Sequence, residues 1–277
     1  MEKQIKIALA QISCKVGDKA YNIRKMATYI TKAKKQKANL IIFPELSLTG
    51  YTTRDRTYEL AETTTGPSTQ KIETLAKQND IHVIYGMIEK SPEAKAVLHN
   101  TAVLTTPKGT LGRCRKMYLP THSVFEEKRY FRQGYESVVL DTSIGKIGLI
   151  ICYDIFFPET ARLLRLKGAE LIVCISASPS VRRGFFETLT TARAMENTAY
   201  LAYVNLVGIE DGLQFWGGSR LIAPSGKIVT QAKYDEEDLV FGTIDYADLA
   251  RAETFVPTLR DLRPELFTEL QTLTEKL

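Results

Sequence analysis

The 277 residues are 44% hydrophobic and 25% charged, which excludes a disordered chain and fits one with a large apolar core. The 37 basic and 32 acidic residues leave a net charge of +5 without a long basic run. Nucleic acid is therefore not expected as a partner, and Lys32, Lys34, Lys35 and Lys37 read as the solvated face of a helix. The amino-terminal MEKQIKIALAQ lacks the extended apolar core and cleavage site of a signal peptide. No later stretch approaches the ~20 apolar residues of a membrane span, so a cytoplasmic location away from membranes is expected. Cys14, Cys114, Cys152 and Cys174 are dispersed, with neither CxxC nor Cys/His ligand spacing, so no disulfide framework and no metal site is suggested.

Ile5 to Ala10 reads as a first strand, followed by a turn at Gly17-Asp18 and a helix over Lys19 to Lys37. A strand from Leu40 to Phe43 ends at Pro44-Glu45. A helix from Thr69 to Gln78 and strands over Ile81 to Ile88 and His99 to Thr106 come next, and the turn Pro107-Lys108-Gly109 leads into a strand from Leu111 to Lys116. The stretch GKIGLIICYDIFFPE, Gly145 to Glu159, combines an apolar strand, Cys152 at its carboxyl end, a turn and a helix led by Pro158. Beyond it lie a strand from Leu171 to Ile175, a helix from Phe185 to Glu196, and strands over Tyr200 to Leu206, Ser219 to Ala223 and Lys227 to Thr230. Helices and strands mixed along the whole length predict a layered α/β fold. No linker divides residues 1–277, so one domain is expected. Residues from about 255 onward, with Pro257 and Pro264, read as an arm packed on a neighbour or on the domain itself.

Three polar residues stand where apolar elements end: Glu45 after LIIFP, Lys116 after LGRCR and Cys152 after IGLII. Side chains at strand ends converge on one pocket when the strands share a layered sheet. Singly, each has an ordinary structural reading as a paired carboxylate, a snorkelling lysine or an inert core thiol. Cys174, within LIVCIS, reads as core, and Cys114 carries no sign of reactivity. His82, His99 and His122 stand outside any papain-like setting, so a carboxylate base suits the cysteine better than an imidazole. His122, in the loop after Pro120, is the one histidine with a claim to the pocket.

FPELSLTGY (Phe43 to Tyr51), RKMYLP (Arg115 to Pro120) and CYDIFFPE (Cys152 to Glu159) resemble the three signature segments of the nitrilase superfamily of carbon–nitrogen hydrolases. The similarity extends to VFEEKRYFRQG, ISASP, NLVG and FWGGS, in the same order along nearly the whole chain. The resemblance implies a four-layer α-β-β-α sandwich, assembled as a homodimer or larger homo-oligomer. It implies a Cys-Glu-Lys mechanism with Cys152 as nucleophile, Glu45 as general base, and Lys116 with the backbone N–H of Tyr153 on the oxyanion. The positive charge of Lys116 is also expected to favour the thiolate. A second glutamate, Glu127 rather than Glu126, is implied to position Lys116 or the substrate amide.

Tyr51, Tyr153, Phe156, Ser178 and Trp216 are the candidate substrate-binding residues, and a small linear carboxamide is the expected substrate, hydrolysed without metal or organic cofactor. An N-carbamoyl amine or amino acid is the alternative substrate, although Ile155-Phe156-Phe157 stand where some such hydrolases carry paired arginines. Arg182 and Arg183 could instead supply a carboxylate site from another loop. A nitrile is the third alternative, and a catalytically silent scaffold binding a metabolite or a partner is the reading of another class. LPTHSVFEEKRYF also resembles the glutaminase domain of glutamine-dependent NAD synthetases, without the ATP-binding half.

Overall fold

In the strand Gln4–Gln11, Ile5, Ile7 and Leu9 face one way and Ala8 and Ala10 the other, as the two-residue period of a strand requires. The two sets enter different cores, and that split organises the molecule. The computed structural model describes residues 4–276; the outermost residues of the expected 1–277 domain, and with them the start of MEKQIKIALAQ, lie outside the described residues.

One six-stranded sheet runs in the order Asp238–Asp245, Gln4–Gln11, Leu40–Ile42, His82–Lys90, Leu98–Thr106, Gly109–Arg115. The second six-stranded sheet runs Ile228–Gln231, Arg220–Ile222, Tyr200–Asn205, Leu171–Ser176, Gly145–Ile151, Val138–Thr142. Parallel pairing holds at the centre of each, between Gln4–Gln11, Leu40–Ile42 and His82–Lys90, and between Gly145–Ile151, Leu171–Ser176 and Tyr200–Asn205. Ile7, Leu9, Ile42 and Ile84 of the first sheet share one apolar core with Leu149, Ile151, Val173 and Val204 of the second. Ile23, Met26, Ile30, Ile72 and Ala76, from the helices Lys19–Lys35 and Pro67–Asn79, cover the other face of the first sheet. The helices Pro158–Leu166 and Arg183–Glu196 bring Ala161, Leu164, Phe186 and Ala194 onto the second. The result is the four-layer α-β-β-α sandwich.

Local chemistry sets the helix starts. The Asp18 carboxylate accepts the Tyr21 N–H at 2.9 Å, and Pro67 and Pro158 occupy first-turn positions where no N–H is needed. Expected element boundaries agree with the observed ones to within about two residues, the range over which helix and strand ends fray.

Four strands were not predicted. Val138–Thr142 and Asp238–Asp245 are outer strands with mostly half-buried residues, so neither shows the apolar run of a central strand. Val207–Glu210 and Leu213–Trp216 form a two-stranded hairpin closed at Asp211-Gly212, both with positive φ. The carboxyl-terminal helix Pro264–Thr274 buries none of its residues, while Thr258, earlier in the expected arm, donates its hydroxyl to the Glu196 carbonyl at 3.3 Å. Among the described residues, no helix is long and apolar enough to cross a membrane.

Candidate active site

The site is assembled from strand ends. The Leu40–Ile42 strand runs through Phe43 and Pro44 into Glu45, and Leu46 then turns the chain at φ 48°. Gly86 makes room for this turn, since a Cβ there would lie 2.2 Å from the Leu46 nitrogen. Lys116 follows Gly109–Arg115; its backbone N–H donates to the Asn100 carbonyl at 2.8 Å and its carbonyl accepts from Gly134 at 2.7 Å. Cys152 leaves Gly145–Ile151 at φ 47° and opens the 3-10 turn Cys152–Phe156. A non-glycine residue in this left-handed region is strained, and such strain concentrates at functional sites. The Cys152 N–H meets the Cys174 sulfur, whereas that of Tyr153, next in the turn, has no acceptor within it.

Glu45, Lys116 and Glu127 form one buried row. The Lys116 Nζ donates to Glu45 Oε1 at 2.7 Å and to Glu127 Oε1 at 2.6 Å, and the three residues are 0%, 1% and 4% exposed. Glu45 has two further donors: Asn100 Nδ2 to Oε1 at 2.6 Å and the Ala177 N–H to Oε2 at 2.7 Å. The Tyr51 hydroxyl donates to Glu127 Oε1 at 2.7 Å, while Glu127 Oε2 is buried without a partner among the described residues. Glu126, its neighbour, is solvated and 61% exposed at its side chain.

The electrostatics follow from burying two carboxylates and one ammonium together. Burial works against the Lys116 ammonium, but Glu127 and Glu45 outweigh it and hold its pKa well above the usual lysine range. Glu127 is pushed up to about 7 by burial, with Lys116 opposing the rise and Glu45 adding to it. The Cys152 thiol is raised well above its ordinary value, first by burial and then by Glu45. Lys116 does lower it, as expected, but is outweighed. The thiol therefore rests protonated and needs a base at the moment of attack.

Asp154 was not singled out from the sequence, although it lies two residues beyond Cys152. Its Oδ1 accepts the N–H groups of Met117 and Tyr118 at 3.2 and 2.9 Å, and its Oδ2 that of Ile151 at 3.0 Å. One fully buried carboxyl thus ties the residues after Lys116 to the residue before Cys152. Burial raises it to about 7, against the hydrogen bond from Ile151 and the charge of Lys116. Asn100 and Glu210 were missed as well. Asn100 stands between His99 and Thr101 in the strand Leu98–Thr106, so the local sequence gives it no contrast. Glu210 accepts the N–H groups of Tyr51 and Thr52 at 2.8 and 3.0 Å and so anchors the Tyr51 loop; nothing in its local sequence announces this.

A cavity of about 150 Å³ opens on Cys152, walled by His122, Phe125, Tyr153, Phe156 and Phe186 among others. Of the candidate binding residues, Tyr153 and Phe156 stand on this wall. Tyr51 instead lines a second cavity of about 370 Å³ together with Glu127, Ser123 and Val124. The loop at 121–125 separates the two, since its His122 and Phe125 face the first and its Ser123 and Val124 the second. Trp216 and Ser178 lie off the cavity wall: Trp216 is buried against Tyr203, and its Nε1 donates to Ser178 Oγ at 3.4 Å. His82 and His99 are buried at backbone carbonyls, far from the exposed character of His122. Cys114 and Cys174 are buried, with the Cys114 thiol against the Leu149 carbonyl at 3.3 Å.

A thiol, a carboxylate and an ammonium thus stand at strand ends of the four-layer sandwich. Residues 6–254 match the carbon-nitrogen hydrolase family, and this chain belongs to it. It is 32% identical over 268 residues to a probable nitrilase of Schizosaccharomyces pombe, covering 95% of this chain and 97% of that one. It is 36% identical over 253 residues to the glutamine-dependent NAD(+) synthetase of Aquifex aeolicus, covering 89% of this chain but only 43% of the synthetase. Among solved structures, the carbon-nitrogen hydrolase from Helicobacter pylori G27 superposes with a TM-score of 0.90 at 28% identity, over 97% of this chain and 98% of that one. A mutant of the amidase from Nesterenkonia sp. AN1, showing covalent addition of the acetamide moiety of fluoroacetamide at its active site cysteine, superposes with a TM-score of 0.84 at 27% identity, over 96% of both chains.

Proposed function

We propose that this enzyme hydrolyses a small linear carboxamide to the acid and ammonia through a thioester on Cys152. The observation that carries the reading is the buried Glu45–Lys116–Glu127 row acting on the Cys152 thiol. As the Cys152 sulfur bonds to the amide carbon, Glu45 takes the thiol proton. The Lys116 ammonium and the Tyr153 N–H hold the oxyanion. Glu45 then gives the proton to the departing nitrogen, ammonia leaves, and the thioester remains. Water, deprotonated by Glu45, attacks the thioester; the acid departs and the thiol re-forms. Glu127 keeps Lys116 charged and oriented. Each step balances with the chain's own groups, so the reaction as written uses neither metal nor organic cofactor.

The acetamide adduct on the cysteine of the Nesterenkonia amidase supports an amide substrate, and the probable nitrilase among the relatives favours a nitrile as the second reading. Ammonia release from matched amides, N-carbamoyl compounds and nitriles separates them, and carbon dioxide marks the carbamoyl arm. Intact mass should show one acyl group on Cys152. Absence of ammonia, of any adduct and of selective Cys152 labelling would instead favour a silent scaffold. We also infer assembly with further copies of the chain in the cytoplasm. Support comes from Leu266, Phe267, Leu270 and Leu273, each at least 45% exposed on the terminal helix; a monomer by sedimentation would sink this part.

A further inference from the structure

Among the described residues, the wall of the Cys152 cavity holds one side chain of fixed charge, Arg182, and no acidic residue. Its guanidinium lies 5.8 Å from the centre of the Phe185 ring and makes no hydrogen bond or ion pair among the described residues. Arg183 beside it differs. Its Nε bonds Glu187 at 3.2 Å, and its guanidinium stacks 3.6 Å from the centre of the Tyr234 ring. Glu187, the carboxylate nearest in sequence, is further engaged by Arg220 at 3.0 Å and the Tyr234 hydroxyl at 2.7 Å. The structure therefore resolves the pair that sequence left undivided: Arg183 is committed to the fold and Arg182 is open.

The helix Arg183–Glu196 begins at this point and has no acidic residue in its first turn, so its positive end adds to the same field. An arginine without a counter-ion on an otherwise aromatic wall favours a ligand with an anion at one end and an apolar stem.

We infer that Arg182 is a specificity-determining residue, and that the preferred substrate is a short amide whose acyl chain ends in a carboxylate. This rests on the amidase reading above. The amide carbon would meet Cys152, the methylenes would cross Phe156 and Phe186, and the far carboxylate would take the guanidinium fork. A cationic tail would be repelled.

The test uses the full chain and pairs of equal length, namely monoamides of short dicarboxylic acids against neutral alkanamides, reading ammonia. A charge-assisted pair predicts a wild-type kcat/KM ratio of roughly 10 to 100 in favour of the acid-tailed amide. Arg182→Ala should bring the ratio close to one, mainly through KM, Arg182→Lys should restore part of it, and Arg182→Glu should shift preference to amine-tailed amides. Because the ratio is taken within one preparation, loss of folded protein cancels. A wild-type ratio near one, or a high ratio unchanged by Arg182→Ala, overturns the inference while amide turnover stands. If no amide of either kind is cleaved, the amidase reading falls and this inference falls with it.

Discussion

The Ala177 N–H donates to Glu45 Oε2 at 2.7 Å, a bond that crosses from the second sheet to the first. Glu45 is carried by the first sheet and Cys152 by the second, so this bond fixes the base relative to the sheet of its nucleophile. The sandwich interface thus sets the site's geometry as well as the molecule's stability.

Substituting Glu45→Gln should lower kcat by about 10² to 10⁴, the usual range for loss of a general base. Gly86→Ala tests the same placement without touching the carboxylate. Its Cβ would meet the Leu46 nitrogen at 2.2 Å and backbone atoms of Glu45 at 2.8 and 2.9 Å, so the Glu45 turn must move. Ammonia release should fall at least tenfold in protein that still melts cooperatively. Full activity would show that the turn has slack.

Glu127→Gln should depress kcat by about a hundredfold or more, while Glu126→Gln, at a solvated position, leaves it nearly intact. The reverse result would reassign the role. The pH dependence adds a sign. Folding raises Glu127 from 4.5 to about 7, so its protonated form favours the folded state. That contribution is complete below about 4.5 and is lost as pH rises through 7. Activity, which needs the ionised carboxylate to hold Lys116, should rise over the same interval. Melting of wild type relative to Glu127→Gln and the acid limb of the rate profile should thus slope in opposite directions. Parallel slopes would refute the assignment.

Asp154→Asn keeps the shape but offers an NH₂ group to donors that now meet a carboxylate oxygen. At least one of the N–H groups of Met117, Tyr118 and Ile151 loses its acceptor, at about 1–3 kcal/mol for an unsatisfied buried donor. Lowered stability alone would mark a structural residue. A positioning residue should also slow iodoacetamide labelling of Cys152 in the folded fraction and lower kcat more than it changes KM.

Tyr51→Phe removes one donor from Glu127 and nothing from Glu45. Roughly a tenfold loss of kcat/KM is expected, the size of one hydrogen bond to a charged group. Measured beside Glu127→Gln in a double-mutant cycle, the two losses should not add, because they act through one contact. Additive losses would separate Tyr51 from the row.

A layered α/β fold was legible because helical and apolar strand patterns alternate along the chain, whereas its four-layer form entered only through the resemblance of the signature segments. Outer strands were harder to read: in Asp238–Asp245 the residues are mostly half-buried, and Gly242 interrupts the pattern because a Cβ there would lie 2.6 Å from Leu221 Cδ2. Within the site, Glu45, Lys116, Glu127 and Cys152 were named from sequence, yet Ala177 acts through a backbone N–H, which has no residue signature. Asp154 and Glu210 likewise act on backbone groups brought near by the fold, and no spacing rule reports such contacts. Trp216 looked like a pocket wall because it is aromatic; its burial beside Tyr203 and its bond to Ser178 place it in the support behind the wall.

A carboxylate offers about four lone-pair positions, and Asn100, Lys116 and Ala177 occupy three of those on Glu45. Two donors share Oε1, so among the described residues the one berth without a donor is on Oε2, the oxygen anchored to the sheet that carries Cys152. Under the proposed mechanism the thiol proton, the departing ammonia and the incoming water must use that berth in turn. Their order is then imposed by occupancy: water cannot be activated until ammonia has gone. Excess ammonia should accordingly slow release of the acid by keeping the berth filled and returning the thioester to amide.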